Sequence, residues 1–377
     1  MRRAWTIIIT LAMCVGVSVA GSPAGARTAA ANGKIAFTSH DAEADANICL
    51  TINPDGTGQH QIGTGDVGCR NWSPDSSKIL ASVNPEGNAR PATANPDGSD
   101  FTILDAYPNL DQTLSCGFWS PDARRFLCKS AEDGNPSDDG LYTLRSSDGG
   151  DLTRVTVTPD GFEDDALGYS PDGSRILYSR NDLSSELENL FAVNPDGTGL
   201  VQLNPPGLQL GAADCCNPAA SWSPDGAQVA FAAFWKPNIG HARRTALFVV
   251  NADGTGIRRV TPFGQGARNG AAWSPDGELI AFDTPLIRGE NPQIWVVHPD
   301  GTGLRELTQP THGDNSFNPV WSPDSARLVF QSFHPEINGG QNDVWIVNDD
   351  GTGLFQLSNT PEPLEEGDLS WGSAPPS

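Results

Sequence analysis

One phrase recurs seven times in this 377-residue chain, an aromatic residue followed by Ser-Pro-Asp. It stands at Trp72, Trp119, Tyr169, Trp222, Trp273 and Trp321, with a worn copy at Trp371, and successive aromatics lie 47, 50, 53, 51, 48 and 50 residues apart. A period of this length restricts the chain to a propeller or a solenoid. Between these marks sits a second turn with seven copies: Asn53-Pro-Asp-Gly-Thr-Gly58, Asn95-Pro-Asp-Gly98, Ser147-Asp-Gly149, Asn194-Pro-Asp-Gly-Thr-Gly199, Asn251-Ala-Asp-Gly-Thr-Gly256, His298-Pro-Asp-Gly-Thr-Gly303 and Asn348-Asp-Asp-Gly-Thr-Gly353. Apolar runs follow the first turn, as in Ile176-Leu-Tyr178 and Leu328-Val-Phe330, and others lead into the second, as in Leu247-Phe-Val-Val250 and Ile294-Trp-Val-Val297. One repeat therefore reads as four short antiparallel strands, which make one propeller blade.

The chain ends complete the count. Lys34-Ile-Ala-Phe37 arrives with no aromatic-Ser-Pro-Asp before it, while Trp371 has no strands after it. Pairing the Asp368 to Trp371 strand with the Gly33 to Phe37 strand removes two bare sheet edges and closes a ring. The expectation is an all-β, seven-bladed β-propeller over residues 33–372, closed by its N- and C-terminal strands, with 373–377 a disordered tail. Both turns have the chemistry of hairpin punctuation: Pro presets φ, Asp or Asn bonds its own backbone, and Gly accepts positive φ. The aromatic before Ser-Pro is expected to pack between blades, and replacing Trp273 by Ala would cost about 3–5 kcal/mol if that Trp is fully buried.

Met-Arg-Arg followed by an apolar stretch from Ala4 to Ala20 reads as a signal peptide, with cleavage after Ala20 or Ala26. The stretch is short for a membrane span. Removing residues 1–26 takes away two arginines and no acid, moving the net charge from −23 to −25. Such a surface repels phosphate backbones and anionic headgroups, so nucleic acid is excluded as a partner. The mature chain keeps six cysteines, an even number suited to disulfides in an exported protein. Cys116 and Cys128 flank the turn after Trp119 symmetrically and should face each other across a hairpin; Cys49 with Cys69 is the next candidate pair, and Cys215 and Cys216 bridge each other or reach elsewhere.

The Trp-Ser-Pro-Asp-Gly turn, the Ile-Ala-Phe type of strand after it and the Asn-Pro-Asp-Gly-Thr-Gly turn together resemble the WD-like repeat of the TolB propeller family, from about Gly33 to Trp371. The resemblance implies a periplasmic or surface binding platform; related propellers serve as regulatory domains of serine peptidases or as polysaccharide lyases. Ser76, Ala123 and Ser325 depart from the pattern in place of the turn Gly, Tyr169 replaces Trp, and Trp371 lacks Pro-Asp.

No catalytic signature stands out in the text. Gly168-Tyr-Ser-Pro-Asp-Gly173 is a blade turn rather than a nucleophile elbow, and no His-Glu-x-x-His, Walker loop or dinucleotide fingerprint occurs. Both recurrent turns lie on one face, so variable loops and blade connections share the other, where function is expected. That face holds His40, His241, His312 and His334. His40, His312 and His334 would flank the closure seam, and with Asp41, Glu43 or Asp45 they form the candidate metal site of an alternative reading, a metal-assisted polysaccharide lyase or hydrolase. Asp41 to Asn47 places oxygen side chains at alternate positions like the start of a calcium loop, but lacks its sixth-place Gly and closing Glu. The inner strands begin on this face, so Arg70, Asp165, Asn217, Arg268, Asn269, Asn318 and Asp368 should surround the channel mouth, with Trp235 an exposed aromatic in a loop of blade five. Mixed polar groups suit a peptide or sugar. The leading expectation is a secreted or periplasmic, cell-surface-facing monomer. It acts as a non-catalytic platform for an envelope protein, peptide or glycan, with no cofactor unless calcium or a transition metal serves the alternative reading.

Overall fold

Each Ser-Pro-Asp turn is followed by an apolar run too short for a buried helix, and such a run forms a strand covered on both faces. The computed structural model describes residues 30–41, 43–84, 89–105, 113–131, 138–185, 187–210, 220–235, 245–266, 271–284, 291–309, 314–333, 341–358 and 364–374. These residues form seven antiparallel sheets, arranged as a β-propeller. Blade 1 joins Asn32–Asp41, Ala46–Ile52 and His60–Ile62 to the C-terminal strand Leu364–Ser373, which is its innermost. Blades 2, 3 and 4 open on the inner strands Val67–Trp72, Thr113–Trp119 and Phe162–Tyr169, and blades 6 and 7 on Ala271–Trp273 and Asn315–Trp321. In blade 5 two segments, Leu208–Leu210 and Ala220–Trp222, pair with the same strand, Gln228–Trp235. The extra length matches the widest aromatic spacing, the 53 residues from Tyr169 to Trp222.

Ring closure pairs the two strands expected, with register shifts between Asn32 and Ile35 and between Ala36 and Thr38. Ile35 faces Trp371, and the Trp371 indole N–H donates to the Gly33 carbonyl at 3.2 Å. The closing strand runs on through Ser373, assigned to the tail from sequence, because its N–H donates to Ser76 Oγ at 2.8 Å. There is no single central core: seven apolar clusters each fill the wedge between two neighbouring blades, such as Ile35, Phe37, Val329, Val344 and Trp371 between blades 7 and 1. The repeat aromatics sit at the inner ends of these wedges. Trp321 and Trp371 are buried, and the indoles of Trp119 and Trp321 each donate at 3.0 Å to a carbonyl of the preceding blade, that of Asn71 and Ala272 respectively. Trp273 is only half-buried, since one side faces the central channel, so the truncation cost reasoned for a fully buried Trp does not transfer to it.

The turn chemistry is the same in copy after copy. In the first turn the Ser hydroxyl donates to the Asp two residues on, and the same hydroxyl accepts the N–H three residues beyond that Asp: Ser73 bonds Asp75 at 2.7 Å and receives Lys78 N–H at 3.0 Å. The fourth turn position has positive φ whether or not it is Gly: Gly173 at 74° and Gly226 at 71°, but also Ser76 at 55°, Ala123 at 60° and Ser325 at 63°. In the second turn the Thr hydroxyl and N–H both donate to the Asp, as Thr57 does to Asp55 at 2.6 and 3.0 Å. Gly58 is required there, because a Cβ would lie 2.6 Å from the Asn53 amide folded over it. A third device recurs after the outermost strand. The side chains of Thr156, Asn204, Thr261, Thr308 and Ser358 each accept a third-strand N–H, from Leu141, Leu190, Leu247, Ile294 and Val344.

Among the described residues, two disulfides are present. Cys116–Cys128 bridges facing residues of a hairpin in blade 3, and Cys49–Cys69 ties blade 1 to blade 2. Cys215 and Cys216 lie outside the described residues. Among the described residues, no helix is long and apolar enough to cross a membrane.

Candidate functional site

Seven inner strands stand around an axis, and each turns one row of side chains away from the inter-blade wedges. In blades 2, 3, 4 and 7 the ladder shifts register just before the aromatic, between Cys69 and Trp72, Cys116 and Phe118, Ala166 and Gly168, and Phe317 and Val320. Such bulges re-aim neighbouring side chains. The result is a central cavity of about 1090 Å³ touched by all seven inner strands. Half-buried Trp72, Phe118, Trp222 and Trp273 give it apolar walls, while Arg70, Lys129, Asp165 and Asp368 give it charge.

Besides Asp276, Asp283 and Asp324 on blades 6 and 7, the charged groups form two sets on blades 1 to 4. Arg70 Nη1 lies 3.6 Å from Asp368 Oδ2, and Ser370 Oγ donates to the Arg70 carbonyl at 2.9 Å, so the closing strand is fastened to blade 2 beside the ion pair. Lys129 reaches in from the second strand of blade 3 and donates to Asp165 Oδ1 at 2.6 Å and to Glu163. Burial opposes its charge, but the Asp165 and Glu163 carboxylates outweigh burial and hold its pKa above the ordinary lysine value. Glu188 is shifted upward, first by burial and further by the negative charges of Asp165 and Glu163. Behind this set, Asp164 is clamped by Arg180 through bonds of 2.6 and 2.7 Å and accepts the Thr156 hydroxyl at 2.9 Å. The Arg180 guanidinium lies 5.7 Å from the Tyr178 ring centroid, and burial pushes the Tyr178 hydroxyl up to about 12.

Of the residues expected at the channel mouth, Arg70, Asp165 and Asp368 line this cavity. Asn318 does not: it is buried at positive φ and its amide donates to Gln331. Trp235 does not either. It is the last residue of a strand rather than part of a loop, is 42 % exposed, and packs beside Gly207, because the blade-5 pairing to Leu208 extends the strand that far. Asn217, Arg268 and Asn269 lie outside the described residues, as do His241, His312 and His334.

His40 is described. Its Nδ1 is 3.3 Å from Asn47 Oδ1 and its Nε2 is 3.9 Å from the almost fully exposed Asp45. Asp41 caps a hairpin turn by accepting the N–H groups of Glu43 and Ala44, both at 3.0 Å, so this segment forms a β-hairpin. Among the described residues, no group of three or more His, Cys, Asp or Glu side chains is placed to hold a metal.

Sequence reasoning missed Lys129, Glu163, Asp164, Arg180 and Glu188. The available signal was Glu163-Asp-Asp165 in a row on an inner strand, which requires buried cations nearby.

Residues 207–366 match the family model described as the TolB beta propeller domain. No curated protein sequence matches the chain significantly. Among solved structures, TolB from Acinetobacter baumannii superposes with a TM-score of 0.52 at 16% identity, over 90% of this chain and 66% of that one. Puromycin hydrolase in complex with PGG gives a TM-score of 0.64 at 14% identity, over 89% of this chain and 53% of that one. The β-propeller domain of the Trilobed protease from Pyrococcus furiosus gives 0.57 at 12% identity, over 88% of this chain and 97% of that domain. At these identities the likeness is one of fold. The chain thus has a β-propeller fold, with the TolB beta propeller domain match over residues 207–366.

Proposed function

We propose that the protein is an exported, non-catalytic binding platform that takes part of an envelope protein, peptide or glycan into its central cavity. The observation that carries this reading is the cavity of about 1090 Å³, walled by indoles and by paired charges, at the place where all seven blades meet. Concave sites with apolar walls and a few placed polar groups are where ligands gain most buried surface. The leader-like residues 1–26 and the two disulfides suit an oxidising compartment outside the cytoplasm.

Gly117 provides the test. It lines the cavity, its φ is not positive, and a Cβ there meets nothing within 4 Å. Gly117→Phe therefore fills the channel without disturbing a wedge. Capture of partners from envelope extract by wild-type protein is expected to be lost with Gly117→Phe at an unchanged melting temperature. Capture that survives Gly117→Phe but is lost with Trp235→Ala would move the site to the outer rim.

A further inference from the structure

We infer that Arg70 anchors the ligand through a carboxylate, and that the ligand is a peptide presenting its C-terminal carboxylate beside an apolar side chain; this deepens the channel-binding reading and rests on it. The argument starts from donor accounting. Among the described residues, two cations line the cavity, Arg70 and Lys129. Lys129 is spent on two carboxylates. Arg70 is not: its side chain is two-thirds buried, and among the described residues its one partner is Asp368 at 3.6 Å, with no guanidinium nitrogen within hydrogen-bonding reach of an acceptor. That distance is too long for a charge-assisted hydrogen bond. Other part-buried arginines are satisfied within the protein, Arg125 through Thr143, Asp151 and Thr153 and Arg180 through Asp164. A guanidinium presents five donors in a planar fork that matches a carboxylate, and leaving them unused in a half-buried site is costly.

The surroundings set the body of the ligand. Asn71 spends its amide N–H on the Gly117 carbonyl at 2.6 Å, and Ser370 spends its hydroxyl on the Arg70 carbonyl. Trp72, Phe118 and Leu369 offer apolar surface in the same cavity. An apolar or aromatic group next to the carboxylate would bury its surface against these side chains.

Hippurate, a carboxylate joined through a peptide bond to an aromatic ring, is a suitable probe, with hippuramide as its neutral counterpart and glucuronate as the sugar acid. Titration calorimetry or ligand-observed NMR on the mature protein is expected to show hippurate binding at least about tenfold more tightly than hippuramide, as a charge-assisted pair would give. Glucuronate should bind more weakly than hippurate. Arg70→Gln should abolish the preference for acid over amide. Asp368→Asn, a near-isosteric change, should strengthen hippurate binding several-fold by removing the competing carboxylate, an increase that a merely structural role for the pair would not produce. Equal binding of hippurate and hippuramide, a preference that survives Arg70→Gln, or no hippurate binding at millimolar concentration would overturn the inference. Tighter binding of glucuronate would overturn the peptide assignment. If these fail while Gly117→Phe still abolishes partner capture, the channel stands as the site and only the Arg70 anchor falls.

Discussion

Three residues stand where the first turn elsewhere has Gly, and they carry different consequences. Ser76, Ala123 and Ser325 all adopt positive φ, which disfavours a side chain. Ser76 offsets this by accepting the Ser373 N–H, and Ser325 by accepting the Asp276 N–H at 3.1 Å from the neighbouring blade. Ala123 has no side-chain group that could do so. Ala123→Gly is therefore expected to stabilise the protein by about 1 kcal/mol, whereas Ser325→Gly should give no gain because an inter-blade bond is lost. Urea denaturation of the two variants checks this, and equal effects would show that the Ser side chains contribute nothing.

At the scale of the element, the two recurrent turns store charge as well as geometry. The Thr57 hydroxyl and N–H hold Asp55 below its ordinary value of 3.8, and the same holds for Asp196, Asp253, Asp300 and Asp350 with their Thr partners. In the first turn, Ser73 and Ser120 do this for Asp75 and Asp122 against the opposing effect of burial. A carboxylate with a depressed folded pKa contributes stability that is complete above its unfolded value and lost as pH falls through the folded one. The melting temperature should accordingly fall as pH drops below about 4, even though protonation relieves a net charge of −23. A melting temperature that rises steadily from pH 5 to pH 3 would mean that self-repulsion outweighs the turns. These turns were legible in the sequence because their chemistry is local: four to six residues carry every bond that makes them. The split inner strand of blade 5 was not, because Leu208–Leu210 becomes a strand only by pairing with a partner beyond the next turn. Trp235 was misplaced for the same reason.

For the whole molecule, aromatic spacing fixes which residues occupy the inner strands, so Arg70, Asp165 and Asp368 could be placed at the axis from text alone. Lys129 could not, since it reaches the channel from a second strand and its role depends on the neighbouring blade supplying Glu163 and Asp165. Likewise, Asp164 is understandable only with Arg180 sixteen residues away clamped on it. The ring makes the inner strands the one set of elements that every blade contributes to a common surface, and the disposition of charge there is a property of closure. The most direct measurement is hydrogen–deuterium exchange on the free protein and on its complex with the captured envelope partner. The channel account predicts added protection in the inner strands around Arg70–Trp72, Gly117, Asp165 and Asp368. Protection confined to the outer strands or to the Trp235 rim, with the inner strands exchanging as in the free protein, would contradict it.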